Sequence, residues 1–188
     1  MVKNELKLLD AFLIESDIYG DKRGWFTESY NKDKFHDIGI DTEFIQDNHS
    51  MSKEIGVLRG LHFQILPKAQ SKLIRCTRGK IMDVIVDLRK GSPTYLQHEK
   101  IILSEDNHFQ LFIPKGFAHG FLTLTNDVEV QYKVDELYSK EHDRSIRYDE
   151  LELGIDWGIS NPILSDKDKF ALSLKESDIN FIYKDGDL

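Results

Sequence analysis

Gly56-Val57-Leu58-Arg59-Gly60-Leu61-His62-Phe63-Gln64 is the stretch on which the fold turns. It is strand-like, and Lys72 follows its last residue by eight positions. A base, a guanidinium and an ammonium are therefore packed into one short region. A histidine that accepts a proton, beside a cation that holds the charge left behind, is the minimum kit for taking a proton from carbon next to a carbonyl. Strand alternation puts His62 and Gln64 on one face with Gly60. Arg59 falls on the opposite face unless Gly60 marks a bulge.

Working outward, the chain reads as many short alternating segments divided by turn residues. Leu8 to Ile14, Trp25 to Tyr30, Phe44 to Asn48, Gly56 to Gln64 and Ser71 to Thr77 read as strands. Ile81 to Leu88 alternates, with Met82, Val84, Val86 and Leu88 on one face and Asp83 and Asp87 on the other. Lys100 to Leu103, Phe109 to Ile113, Gly120 to Leu124 and Val128 to Val134 continue the pattern. Lys32 to Ile38 reads as a short helix stopped by Gly39, and Ser165 opens a second helix through about Leu174. Gln46 to Ser50 doubles as an amide-rich loop, either turn chemistry or a contact for a polar ligand. Strands this frequent predict an all-β fold, an antiparallel barrel or jelly roll with a few short peripheral helices, rather than a βαβ fold.

The 188 residues predict a single domain, 1–188. At 31% charged and 40% hydrophobic the composition is that of a globular chain, not a disordered one. A net charge of −8 argues against broad nucleic-acid binding. No apolar run reaches the roughly 20 residues of a membrane helix. The start lacks the apolar core of a secretory signal. The lone Cys76 excludes an internal disulfide framework and reads as an ordinary strand residue. A cytoplasmic location is expected, with no nucleic acid or membrane as partner.

Several residues admit two readings. His62 alone could be a satisfied structural histidine. Tyr132 shares its face with Val130 and Val134 and points into an apolar interior, either to anchor its hydroxyl or to deliver a proton as a general acid. Asp168, in Ser165-Asp166-Lys167-Asp168, fits a capping box in the first turn of a helix. Arg23 beside Gly24 is either a turn residue or an anion contact.

With Ile113-Pro114-Lys115-Gly116-Phe117-Ala118-His119-Gly120-Phe121, the opening stretch resembles the paired strand motifs of a cupin barrel. Such barrels usually hold a metal on a His-x-His pair, a following Glu and a later His. Here His62 and His119 stand in the first and last slots, but Gln64 takes the second and no Glu follows. A stable site generally takes three or more protein ligands, and Lys72 would repel a cation. No metal and no other cofactor is expected.

Many segments in order extend the resemblance. They are Asp21 to Glu28, Phe44 to Ser50, Val57 to Gln64, Gln70 to Leu73, Asp83 to Arg89, Ile113 to Phe121, Tyr132-Lys133, Ile155 to Trp157 and Leu164 to Asp168. Together they resemble the dTDP-4-dehydrorhamnose 3,5-epimerase family, the RmlC-like sugar-nucleotide epimerases, from about residue 10 to residue 175. The resemblance implies epimerisation at carbons 3 and 5 of a dTDP-linked 4-keto-6-deoxyhexose, without a cofactor. It implies His62 as base with Asp168 as its carboxylate partner, Lys72 as the oxyanion cation and Tyr132 as acid. It implies Arg23, Gln46, Asn48, Arg59 and His119 as diphosphate and sugar contacts. Phe26 and Glu28 would meet the nucleotide base across a homodimer interface, and Tyr138 would stack on it. Two features leave the substrate open. Leu96 stands where the family commonly has Gly, and the tail from Asp178 to Leu188 matches no motif. A single-centre epimerase or ketoisomerase on a related sugar, or a non-catalytic sugar-nucleotide-binding cupin, are the alternatives.

Overall fold

The computed structural model describes residues 1–184. In chain order the elements are β1 (Val2–Glu5), β2 (Phe12–Glu15), β3 (Ile18–Asp21), β4 (Gly24–Thr27), α1 (Lys32–Asp37), β5 (Gln46–Ser52), β6 (Leu58–Gln64), β7 (Lys72–Arg78), β8 (Lys80–Asp87), β9 (His98–Ser104), β10 (Gln110–Ile113), β11 (Phe117–Thr123), β12 (Val128–Val134), β13 (Asp143–Ser145) and α2 (Asp166–Lys169). A six-stranded sheet runs β1-β2-β10-β7-β12-β5, and a five-stranded sheet runs β13-β6-β11-β8-β9. The hairpin β3-β4 belongs to neither. The strands of both sheets pair antiparallel, as the expected jelly roll requires.

The two sheets close on a shared apolar interior. Ile74, Cys76, Val128 and Val130 come from one wall, and Ile81, Ile85, Leu103 and Phe121 from the other. A second cluster covers the outer face of the five-stranded sheet, where Leu58, Val84, Val86 and Leu122 meet Trp157 and Phe181 from the C-terminal segment. A third packs Phe35 and Ile40 on Phe12, Ile14, Leu73 and Phe112, on the outside of the six-stranded sheet. Asn31 caps α1, its side chain accepting from the Lys34 N–H at 3.2 Å.

The open question about Arg59 is settled by the register of β6. His119 pairs with His62, but Phe121 pairs with Arg59, so two steps along β11 match three along β6. This is a bulge at Gly60. Leu58 and Leu61 consequently point into the same outer cluster despite their odd spacing. Arg59 and His62 thereby share the inner side. Gly60 has φ +125, and a Cβ there would lie 2.5 Å from Gly120 Cα and 2.7 Å from the His119 carbonyl oxygen. Gly120 is as tight, at 2.8 Å from the Arg59 carbonyl oxygen. Two glycines back to back let the strands slip.

Other expectations need correction. The predicted amide loop Gln46–Ser50 is strand β5, because it pairs residue for residue with β12. Leu8 to Ile14 is strand only from Phe12, since Asp10 has φ 70 and breaks the extended run, while β1 was not anticipated. Trp25 to Tyr30 is extended only through Thr27. The second helix stops after four residues, with Phe170 81% exposed rather than packed at helical spacing. On β8 the period is right, but the apolar face looks out onto the C-terminal segment while Asp83 looks in.

Leu96 has φ 60, the left-handed backbone that glycine adopts without cost. Its side chain packs on the outer cluster, so this departure from the family pattern bears on backbone rather than on the interior. The tail also has a place as far as it is described. Arg144 donates to Asp178 at 2.6 Å, Phe181 is buried, and Ile182 bridges Lys90. Residues 185–188 of that tail lie outside the described residues.

Gly60→Ala is expected to destabilise the fold by about 1–3 kcal/mol, lowering the melting midpoint by about 2–4 °C for each kcal/mol. Thermal unfolding checks this. An unchanged midpoint would show that the Gly60–Gly120 approach is slack.

Candidate active site

β6 and β11 from one sheet face β7 and β12 from the other across a cavity of about 380 Å³. Arg59, His62 and His119 line it from the first wall, Lys72 and Tyr132 from the second. Asp168 reaches it from α2. The structure thus brings together six of the residues singled out in the sequence.

His62 Nε2 donates to Asp168 Oδ1 at 2.5 Å. Ser165 holds the carboxylate from the other side. Its hydroxyl donates to Asp168 Oδ2 at 2.7 Å and accepts from the Asp168 N–H at 3.2 Å. The capping reading and the partner reading of Asp168 are therefore both realised. Burial pushes the Asp168 carboxyl up, but the bonds from His62 and Ser165 outweigh it and hold it below the usual carboxylate range. For His62 burial is the largest influence and lowers it. Asp168 opposes that without cancelling it, and Lys167 and Lys72 add to the lowering. The resting pair is a neutral imidazole against a carboxylate, with Nε2 protonated and the Nδ1 lone pair free to take a proton.

Burial also pushes Lys72 down to about 8, against the charges of Asp83 and Asp143. Tyr132 is raised by burial, with the Arg59 charge acting against it. Its ring packs on the interior cluster, and the residue lines the cavity. Arg59 is anchored at the mouth, Nε donating to Ser52 Oγ and Nη2 to the Met51 carbonyl, both at 3.1 Å. His119 Nε2 donates to the fully buried Asp83 at 2.9 Å.

The remaining candidates lie around this centre. Gln46 donates to Asn48 at 2.8 Å, and both sit on the β5 face that continues from cavity-lining Ser50. Tyr138 is 64% exposed, and its hydroxyl donates to Asp143, which also accepts from Lys167 at 2.6 Å. Arg23, Phe26 and Glu28 are not brought to the cavity. Arg23 forks onto Asp21 in the hairpin turn, Phe26 is 67% exposed, and Glu28 is held by Asn31 and Lys34. Gln64, in the second metal slot, is saturated instead by backbone. It donates to the Lys68 and Leu137 carbonyls and accepts from the Ser139 N–H. Among the described residues no group of three or more His, Cys, Asp or Glu is placed to hold a metal ion.

Asp83, Asp143, Ser165 and Lys167 were not picked out as site residues from sequence. Asp83 had a signal, a carboxylate alternating with apolar residues on a strand. The others had none beyond the Ser-x-x-Asp spacing.

An imidazole paired with a carboxylate, an ammonium and a phenol inside a double-sheet barrel define a proton-transfer enzyme of the cupin class. The family model for dTDP-4-dehydrorhamnose 3,5-epimerase matches residues 5–176. The enzyme of that name from Shigella flexneri is 46% identical over 169 residues, 89% of this chain and 92% of the relative. The crystal structure of the Bacillus anthracis str. Ames enzyme, with TDP and PPi bound, is 54% identical with a TM-score of 0.89, covering 90% of this chain and 97% of that one. The Legionella pneumophila Philadelphia 1 epimerase, in complex with dTDP-4-keto-L-rhamnose, is 40% identical with a TM-score of 0.92, covering 97% and 98%. This chain belongs to the dTDP-4-dehydrorhamnose 3,5-epimerase family.

Two histidines give an internal test of the electrostatics. His62 is expected to titrate below the ordinary 6.5, whereas the exposed His36, raised by its bond to Asp41, titrates above it. Imidazole proton shifts in an NMR pH titration read both. Asp168→Asn is expected to move His62 lower still; a His62 midpoint above that of His36 would refute the burial-dominated picture.

Proposed function

We propose that this chain epimerises dTDP-4-dehydro-6-deoxy-D-glucose at carbons 3 and 5 to give dTDP-4-dehydro-L-rhamnose. The observation that carries the reading is the placement of His62 and Tyr132 on opposite walls of one cavity. Inversion needs a proton to leave from one side of a carbon and return from the other. His62, neutral and oriented by Asp168, takes the proton. Lys72 holds the enolate oxygen that forms at carbon 4. Tyr132, kept protonated by burial, returns a proton from the facing wall. Both carbons are alpha to the same ketone, so one oxyanion site serves both, and the ketone itself is the electron sink.

Arg59, Gln46 and Asn48 offer donors suited to a diphosphate and sugar, and His119, whose Nε2 donates to Asp83, offers its other ring nitrogen as an acceptor for a sugar hydroxyl. The aromatic Tyr138 beside the Asp143–Lys167 pair is assigned to the nucleotide base. Arg23, Phe26 and Glu28 are assigned to the cavity of a second copy in a homodimer. In support, the β3-β4 hairpin joins neither sheet, and Tyr19, Trp25 and Phe26 on it are 58–67% exposed. A cytoplasmic setting fits the free, buried Cys76. Among the described residues no helix is long and apolar enough to cross a membrane.

The test is NMR of the protein with dTDP-4-keto-6-deoxyglucose in deuterium oxide. Deuterium is expected at both carbons, with none after His62→Ala. Tyr132→Phe is expected to slow product formation more than exchange. One labelled carbon would indicate a single-centre epimerase, and binding without label a non-catalytic protein.

A further inference from the structure

Ser165 touches the His62–Asp168 pair and has no part in the chemistry proposed above. It lines the same cavity as both residues. Its hydroxyl donates to Asp168 Oδ2 at 2.7 Å, while Asp168 Oδ1 accepts from His62 Nε2 at 2.5 Å. The two oxygens of one carboxylate, 3% exposed, are thus divided between two donors. The same Ser165 oxygen accepts from the Asp168 N–H at 3.2 Å as the N-cap of α2. A capping serine needs only to accept. The bond it donates to the carboxylate is extra to capping, and capping does not explain it.

We propose that Ser165 is a positioning residue of the base: its hydroxyl occupies one oxygen of Asp168, fixes the carboxylate plane against His62, and limits the negative charge that the imidazole feels. This rests on the reading of His62 as the base. Pinned at Oδ2, the carboxylate does not turn, so the bond that sets the His62 tautomer keeps one direction. A hydroxyl donating to a carboxylate also draws on its charge. The imidazolium therefore gains less from Asp168 than it would from a carboxylate with one oxygen bare. A base that abstracts must be unprotonated before the substrate arrives, and a full ion pair with Asp168 works against that.

The other groups around the pair do not substitute for this hydroxyl. The Gly60 N–H also favours the charged carboxylate, but it is backbone and stays in every variant below. Lys167 and Lys72 disfavour the imidazolium by their own charge, and Lys167 is tied to Asp143 at 2.6 Å. Arg59 is held by Ser52 and Met51, His119 by Asp83, and Tyr132 is a protonated phenol. Among the described residues, His62 and Ser165 are the two side chains whose hydrogen bonds reach the Asp168 carboxylate.

The experiment is the pH dependence of kcat/KM with dTDP-4-keto-6-deoxyglucose, beside the NMR midpoint of the His62 imidazole. The acid limb of kcat/KM reports protonation of the base in the free enzyme. Without the hydroxyl, more of the Asp168 charge falls on the imidazolium, so the midpoint rises. Ser165→Ala is expected to raise the limb and the NMR midpoint together by about half to one pH unit. Activity then falls about three- to tenfold at pH values below both limbs and little at pH 8. Ser165→Thr keeps donor and acceptor and is expected to restore both readings. An equal loss at every pH, with the midpoint unmoved, would make Ser165 a cap and nothing more and overturn the proposal. A threonine variant that behaves like the alanine one would overturn it too. Should Ser165→Ala fail to fold, Ser165→Gly makes the same measurement, because glycine caps a helix at a cost of only a few tenths of a kcal/mol relative to serine. His62→Ala separates the two claims. If it still exchanges substrate protons, the base assignment fails and the proposal with it; if it is inactive while Ser165→Ala keeps the original midpoint, only the role of Ser165 fails.

Discussion

The site depends on a contact with no side chains in it. Gly60 and Gly120 bring two backbones closer than any Cβ would permit, and the strands slip by one residue where they touch. In a regular strand, residues 59 and 62 project to opposite sides. A barrel wall built that way could offer the cavity either the guanidinium or the imidazole, but not both. The slip gives it both, while Leu58 and Leu61 still find the same apolar cover outside. His119, which neighbours Gly120, is paired across to His62 by the same stretch of register. One local irregularity thus sets three of the cavity's polar groups.

Electrostatics then makes those groups usable. An imidazole beside a carboxylate would ordinarily be held protonated, and a protonated base cannot abstract. Here burial outweighs Asp168, and the nearby lysines push the same way. The same burial weakens Lys72 as a cation, so the two requirements compete for one property of the cavity. Carboxylates resolve the competition by position. Asp168 is shared between His62 and Ser165, which spreads its charge over two donors. Asp83 acts against the effect of burial on Lys72, and its Oδ1 has no hydrogen-bond partner among the described residues. Burial and the nearby carboxylates therefore act in opposite directions on both His62 and Lys72.

Much of this was legible in the sequence, and the limits follow from what alternation encodes. Val128 to Val134 was read with its true bounds because one face is apolar, the other polar, and turns flank it. Ile81 to Leu88 shows where that logic fails. Both faces of β8 are covered, so the apolar side could not be told from the inner side, and Asp83 was passed over. Gln46 to Ser50 carries no apolar residue and read as an amide-rich loop beyond the strand-like Phe44 to Asn48. Its strand character comes from β12, to which it pairs along its whole length. The resemblance, rather than periodicity, linked Asp168 to His62 across 106 positions.

That long link has its own physical basis. A helix of four residues has no independent stability, so α2 cannot place Asp168 by itself. The chain before it does. The Leu58 N–H donates to the Ile163 carbonyl at 3.0 Å, and the Ile163 N–H donates to the Gly56 carbonyl at 2.8 Å. Residue 163 is thereby stitched to the start of β6, the strand that carries His62 at its other end. After the helix, Ile146 bridges Leu172, so the segment is tied again to the edge of the same sheet. Trp157 and Phe181 cover the outer face of that sheet on either side of these ties. His62 and Asp168 are therefore mounted on one wall, while Lys72 and Tyr132 are mounted on the other. Breathing between the two sheets would change the gap between His62 and Tyr132 without disturbing the 2.5 Å bond that keeps the imidazole oriented.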